Sequence, residues 1–194
     1  MTNTVTDTIF IKNMLCSCCI KVVTSEFAKN CINILSIELG KATIMYDTEK
    51  INHTTIRNIL EKNNFALISD RETILVEQIK NAVIELVHYS NNINSIIRKS
   101  DYLIEKLNMN YQTISKVFSR HEKITLEKFI ILHKIERTKE LILCHEYTLS
   151  EIAYMMDFSS VQHLSNTFRK TTGISVTDYK KKGEVQKIAL DKLC

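Results

Sequence analysis

Three cysteines crowd one short stretch, Met14-Leu15-Cys16-Ser17-Cys18-Cys19. Cys16 and Cys19 stand three apart, a spacing at which two sulfurs converge on one ion where a loop runs into a helix. Nearness to the helix N-terminus favours the thiolate, which is the ligand form. Soft thiolates take soft ions, Cu(I) first, with Ag(I), Hg(II) and Zn(II) as further candidates. Two ligands do not complete a four-coordinate structural zinc site, and no other Cys/His pair has a clear claim to complete one. Cys18 is a candidate third thiolate. The same pair could instead be a redox couple, although that expects a longer βαβ context, or an inert scaffold. Met14 reads as a packed core side chain and Cys31 as a small buried residue. Cys144 and Cys194 have no spacing partner.

A second chemistry lies in the rear half, where amide and basic side chains line one side of two short helical runs. In the first run these are Gln112, Thr113, Ser115, Lys116 and Arg120. In the second they are Gln162, His163, Asn166, Arg169 and Lys170. Gln and Asn can hold adenine edges through two hydrogen bonds, and Arg or Lys serves guanine or phosphate. Gln112, Lys116, Gln162 and Asn166 are the better base readers; Arg120, Arg169 and Lys170 suit phosphates. The bland reading of any one of these charges is a solvated surface. The partner expected of the whole set is double-stranded DNA.

The elements that must position these residues follow from periodicity. Over Thr148–Tyr179, Leu149, Ile152, Ala153 and Met156 repeat at buried-helix spacing. Asp157-Phe158-Ser159 breaks the pattern, Ser159 or Ser160 is a good N-cap, and Gly173 stops the second helix. A similar pair occupies Asp101–Asn108 and Tyr111–His121. Ile114, Phe118, Ile124, Thr125 and Phe129 match Leu164, Phe168, Ile174, Ser175 and Tyr179 at an offset of 50, whereas Leu103 matches Ile152 at 49. The second copy therefore carries one extra residue in its turn. Between the copies, Thr125–Cys144 reads as a continuous helix about 30 Å long, close to one DNA turn of roughly 34 Å.

The stretches LSEIAYMMDFSS, HLSNTFRKTTGIS and VTDYK resemble the second helix-turn-helix of the arabinose-regulator (AraC) family of bacterial transcription factors. The resemblance implies an all-α double helix-turn-helix domain over 92–183 that presents two reading helices to successive major-groove faces. The sequence departs from the family at Asp157, where glycine is usual, and at Thr138, where a small alanine is usual and where threonine can bond back along its own helix.

Ahead of this, residues 1–70 read as an α+β unit. Strand-like runs at Thr8–Lys12, 32–39, 42–47 and Phe65–Ile68 alternate with helices over 19–30 and 51–64, the second with Ile51, Ile56, Ile59 and Leu60 on one side. Gly40-Lys41 is a plausible hairpin turn. The order βαββαβ is the arrangement called ferredoxin-like. With Met14, Cys16 and Cys19 at the Met-x-Cys-x-x-Cys positions and Phe65 as an aromatic near the loop, this unit resembles the heavy-metal-associated domain of copper chaperones and copper-pumping ATPases. It departs at Asn13, often glycine in the family, and at Cys18. Residues 71–91 read as one long amphipathic connecting helix. Leu75, Ile79, Ala82 and Leu86 roughly follow a/d spacing, so the helix offers either internal packing or a homodimer seam. His88 reads as a surface or interface histidine, and 184–194 as a short amphipathic tail.

Composition sets outer limits. The chain has 194 residues, 44% hydrophobic and 25% charged, with net charge +4 and no proline. So small a charge is weak support for a nucleic-acid partner by itself. The polar start, MTNTVTDT, lacks signal-peptide features, and no apolar run approaches the roughly 20 residues that span a bilayer. The expectation is a cytoplasmic chain whose thiols stay reduced. There is no Gly-rich phosphate loop, plausible triad order or helical metal-binding His pair with a carboxylate, which argues against an enzyme. The combined expectation is a DNA-binding transcription regulator responsive to a soft metal ion. The alternatives give the front unit a metal-independent dimerisation or docking role, or a thiol redox role.

Overall fold

The structure is a computed structural model and describes residues 3–89 and 99–182. Its chain packs as two units, Met1–Asn81 and Ala82–Cys194.

In the front unit, β1 (Thr4–Lys12) buries Ile9 and Ile11 and turns Thr6 and Thr8 outward, the two-residue alternation of a half-covered strand. It pairs antiparallel with β3 (Lys41–Asp47) on one side and β4 (Ala66–Ile68) on the other, and β2 (Asn33–Glu38) pairs antiparallel with β3. The four-stranded sheet has the order β2-β3-β1-β4. Helix α1 (Ser17–Lys29) follows β1 and α2 (His53–Glu61) follows β3. They bring Val23, Phe27, Ile56, Ile59 and Leu60 to a core shared with Ile9, Ile11, Ile44 and Tyr46.

Several boundaries differ from the sequence reading. Strand β1 starts at Thr4, four residues before the expected Thr8, because Thr4 to Thr8 pair with Asp47 to Thr43 of β3. The hairpin turn is Leu39-Gly40, one residue earlier than expected, since Glu38 pairs with Lys41. Gly40 takes φ 81, a left-handed conformation that glycine adopts without strain. Asn52 caps α2 by accepting from the Thr55 N–H at 2.9 Å. Cys31, expected to be buried, is exposed and left-handed at φ 57 in the turn after α1.

The expected continuous helix over 71–91 changes character partway. Helix α3 (Arg71–Ile84) gives way to a π-helical turn over Glu85–Tyr89; residues 90 and 91 lie outside the described residues. The wider turn keeps Val83, Ile84, Leu86 and Val87 all buried. Of the proposed seam, Ile79, Ala82 and Leu86 are buried within this chain.

The rear unit is helical: α4 (Lys99–Leu107), α5 (Tyr111–His121), α6 (Leu126–Cys144), α7 (Leu149–Met155), α8 (Val161–Thr172) and α9 (Val176–Lys182). Side chains close the N-terminal ends. Asn110 caps α5, Thr125 caps α6, Ser160 caps α8, and Thr148 with Glu151 forms a capping box on α7. Helix α6 has 19 residues, about 28 Å at 1.5 Å per residue. Thr138 on α6 is fully buried, and its hydroxyl finds no partner among the described residues, contrary to the expected back-bond. The tail from 184 onward, with Cys194, lies outside the described residues. No helix among the described residues is long and apolar enough to cross a membrane.

Candidate nucleic-acid interface and thiol loop

The rear unit presents its two sets of polar residues on matching helices. Ile114 and Phe118 pin α5 to the core, and Leu164 and Phe168 pin α8. The opposite sides carry Gln112, Lys116 and Arg120 in the first copy and Gln162, His163, Asn166, Arg169 and Lys170 in the second, all exposed. Thr113 and Ser115 are half-buried. The Thr113 N–H donates to the cap Asn110 at 2.8 Å, and the Ser115 hydroxyl donates to Glu127 Oε1 at 3.3 Å. Ser115 is thus committed to the base of α6. Tyr111 donates to the same carboxylate oxygen at 3.1 Å, and burial together with that carboxylate pushes its phenol up to about 12.

In α8, Gln162 Nε2 donates to Asn166 Oδ1 at 3.1 Å, one helical turn on, so the two amides steady each other. His163 is tied into the turn: its Nδ1 is 2.9 Å from Ser159 Oγ, and its ring meets Phe158 edge-on at 5.3 Å. The turn passes through Asp157 at φ 50, the position at which the resemblance implies glycine. Lys134 of α6 reaches over it. Its Nζ donates to the Asp157 carbonyl at 3.2 Å, sits 3.7 Å from that carboxylate and lies 5.0 Å from the Phe158 ring centre. Lys134 and Glu127 were not singled out from sequence, because an isolated charge on a long helix carries no spacing signal.

Behind the exposed face of α5, Phe118 packs on Phe129 at 5.0 Å and Phe129 on His133 at 4.4 Å. His133 Nδ1 lies 3.2 Å from Nε2 of His88, on the π-helical turn. His88 is therefore a packed, half-buried residue rather than a surface one. Burial lowers its pKa to about 4, with Arg137 lowering it further against the pull of Glu140. Burial, and His88 itself, lower His133 to about 3. Both imidazoles are neutral at pH 7.

In the front unit, the thiol loop opens at Asn13, whose φ of 70 is left-handed. Asparagine tolerates that conformation better than most residues, which accounts for its standing where glycine is common. Met14 is fully buried, as expected, and Phe65 is buried nearby in sequence to β4. Cys16 is the N-cap of α1, so the helix begins at Ser17, two residues before the expected start. Its Sγ lies 3.3 Å from that of Cys19, and the Cys19 N–H donates to the Cys16 carbonyl at 3.0 Å. Burial works against the Cys16 thiolate, but hydrogen bonds from the backbone and thiols of Cys19 and Cys18 outweigh it and hold this thiol below its ordinary range. Burial and the neighbouring Cys16 push Cys19 the other way. The two neighbouring thiols are thus shifted in opposite directions. Metal–sulfur bonds of about 2.3 Å let two sulfurs at this separation share one ion. Cys18 is exposed, and no cluster of three or more His, Cys, Asp or Glu side chains able to hold a metal occurs among the described residues.

Residues 103–182 match the family model described as a helix-turn-helix domain, a span that runs from within α4 to the end of α9 and takes in both helical pairs. The chain is also 21% identical over 159 residues to the xylose operon regulatory protein of Escherichia coli strain K12, covering 77% of this chain and 40% of that protein; the proteins of that name from strains O6:H1 and O157:H7 match equally. It therefore spans about two-fifths of the length of these curated relatives. Among solved structures, a DNA-binding transcriptional dual regulator from Escherichia coli K-12 is 20% identical with a TM-score of 0.44, covering 55% of this chain and 92% of that one. The transcriptional regulator CdpR from Pseudomonas aeruginosa is 13% identical with a TM-score of 0.43, covering 74% of this chain and 46% of that one.

Proposed function

We propose that this chain is a sequence-specific DNA-binding transcription regulator of the AraC type, and that its front unit takes up a soft metal ion between Cys16 and Cys19. The observation that carries the DNA reading is the doubled helix-turn-helix, with each polar set on the side of its helix opposite a buried Ile/Phe or Leu/Phe pair. The base readers are Gln112, Lys116, Gln162 and Asn166, and the phosphate contacts Arg120, Arg169 and Lys170; Thr113, Ser115 and His163 orient the readers. The relatives from Escherichia coli are regulatory proteins by name, which supports that class.

The front unit's alternation of strands and helices, with β1 between β3 and β4, supports reading it as a ferredoxin-like, heavy-metal-associated domain over residues 1–70. The 71–91 segment then joins it to a DNA-binding domain over 92–183, with 184–194 as a tail. The thiol pair suits Cu(I), and next Ag(I), Hg(II) or Zn(II), because a thiolate near a helix N-terminus is a soft anionic donor. Burial of Ile79, Ala82 and Leu86 favours packing over a homodimer seam in the connecting helix.

The unequal thiols also support a redox reading, in which the Cys16 thiolate attacks an oxidised sulfur or a peroxide and Cys19 resolves the product to a disulfide. The test of both is one binding experiment on the promoter beside the gene, with and without Cu(I), using wild type and Cys16→Ser/Cys19→Ser. Metal control requires a copper effect that the double variant loses. A response to peroxide without metal selects the redox reading. Equal affinity in all four conditions, with no peroxide response, leaves the front unit as a metal-independent dimerisation or docking module. Absence of any DNA binding removes the regulator reading.

A further inference from the structure

Three polar residues on one stretch of α3, Glu77, Lys80 and Asn81, are only 4%, 9% and 6% exposed. An apolar trio would fill such a corner at lower cost, since burying charges forfeits hydration. Their partners show what the corner holds. Lys80 Nζ donates to Glu77 Oε1 at 3.2 Å. The other oxygen, Oε2, accepts from the backbone N–H of Asn13 at 3.5 Å. Asn13 is the left-handed residue that turns β1 into the thiol loop, and its Nδ2 donates to the Asn64 carbonyl at 3.2 Å. Asn81 closes the same corner by lying against Gly40, whose carbonyl accepts from the Ile11 N–H at 2.9 Å. The entry to the thiol loop is thus fastened to α3 through a carboxylate.

We propose that Glu77 is a positioning residue that couples the thiol loop to α3, so that a change at Cys16 and Cys19 is passed into the helix that continues toward the DNA-binding unit. The coupling rests on the reading that the thiols take a soft ion and the rear unit binds DNA. Three features make Glu77 the joint. A separation of 3.5 Å is the outer edge of a hydrogen bond, so a shift of a few tenths of an ångström makes or breaks it. A buried carboxylate that loses a donor is penalised, so loop position and helix position are energetically linked. Met14, fully buried between Asn13 and the thiols, gives the loop little slack to absorb a shift. A ligand moves an equilibrium only through contacts that two states hold differently, and this contact is placed to be one.

The test uses the full chain, with Cu(I) affinity read by competition against a chromophoric chelator and affinity for its own promoter DNA read with and without Cu(I). The variants are Glu77→Met, which removes the acceptor at similar side-chain length, and the double Glu77→Leu/Lys80→Met, which removes both charges of the pair together. The expected result is that both variants bind Cu(I), and copper-free DNA, as wild type does. The copper-linked change in DNA affinity, about 5- to 150-fold for ordinary coupling free energies, should disappear in them. A variant that keeps the full copper response overturns the coupling. A wild type that takes no Cu(I), or whose DNA affinity ignores it, overturns the underlying reading and the coupling with it.

Discussion

The two helix-turn-helix copies share a core and differ at their edges. At an offset of 50, Phe118 and Phe129 pack at 5.0 Å in the first copy, and Phe168 and Tyr179 pack at 5.2 Å in the second. Thr125 and Ser175 at that same offset both close the N-terminal end of the next helix, accepting from the N–H of Lys128 and of Asp178. The turns diverge. Asn108 and Asp157 are both left-handed, each at φ 50, but Asn108 lies two residues before its cap Asn110 and Asp157 three before Ser160. The exits diverge too: α8 ends on left-handed Gly173, while α5 ends on extended Glu122. The first aromatic pair leads into the 19-residue α6, the second into the 7-residue α9. What the two copies keep is the pair of rings behind the exposed polar face; what varies is how the chain enters and leaves.

The sharpest way to break this equivalence is at the rings. Phe118→Ala and Phe168→Ala should each cost about 3–5 kcal/mol in urea unfolding. Phe118→Ala should also loosen the second copy, because Phe129 sits on α6, which packs against α7 and α8 as well. Hydrogen exchange confined to the first copy would contradict that asymmetry.

A smaller effect concerns the helix common to both copies. An unfolded imidazole titrates near 6.5, whereas folded His88 and His133 sit at about 4 and about 3. Below pH 6.5 the unfolded state therefore binds more protons. Stability falls as pH drops from about 6.5 toward 4, and the loss levels off once the folded groups protonate. His133→Leu should flatten this slope by on the order of 1–3 kcal/mol between about pH 7 and 5, read from urea midpoints at the two values. An unchanged slope would show that the pair is not the source.

The readers themselves should separate in footprinting. Gln112→Ala with Lys116→Ala should erase protection over one groove segment and Gln162→Ala with Asn166→Ala over the other, at about 1–3 kcal/mol per bidentate contact. Loss of both segments from one double variant would mean that the copies do not read independently. Smallest are the turns. Asn108→Ala and Asp157→Ala should each cost about 1 kcal/mol, because alanine resists the left-handed region, with glycine restoring stability at both. Thr138→Val, which replaces a buried hydroxyl that has no partner among the described residues by a methyl group of the same shape, should gain about 1 kcal/mol.

Much of this was legible in the sequence. The change of offset from 49 at Leu103/Ile152 to 50 at Ile114/Leu164 announced the longer second turn, and the structure locates the extra residue between the left-handed residue and the cap. The buried residues of α8 followed from periodicity and those of α5 from the repeat and the family resemblance, and Ile56, Ile59 and Leu60 of the front unit's core followed from the spacing of α2. The π-helical turn was not legible, since Val83, Ile84, Leu86 and Val87 suit an α-helical stripe equally well. Nor was the His88–His133 pairing, made across 45 residues, because a lone histidine carries no long-range spacing. Glu77, Lys80 and Asn81 escaped for a different reason: apolar periodicity nominates core residues, and a buried polar corner is invisible to it. Cys31 was misread because small size suggested burial, while its place in a left-handed turn left it exposed.

The complete burial of Met14 beside accessible sulfurs has a practical corollary. Peroxide reaches Cys16 and Cys18 in the native chain, whereas sulfoxide formation at Met14 needs the surrounding core to part. In a peptide mass map, oxygen added at the cysteines would record the chemistry of the native loop, and oxygen added at Met14 would record how often the front unit comes undone.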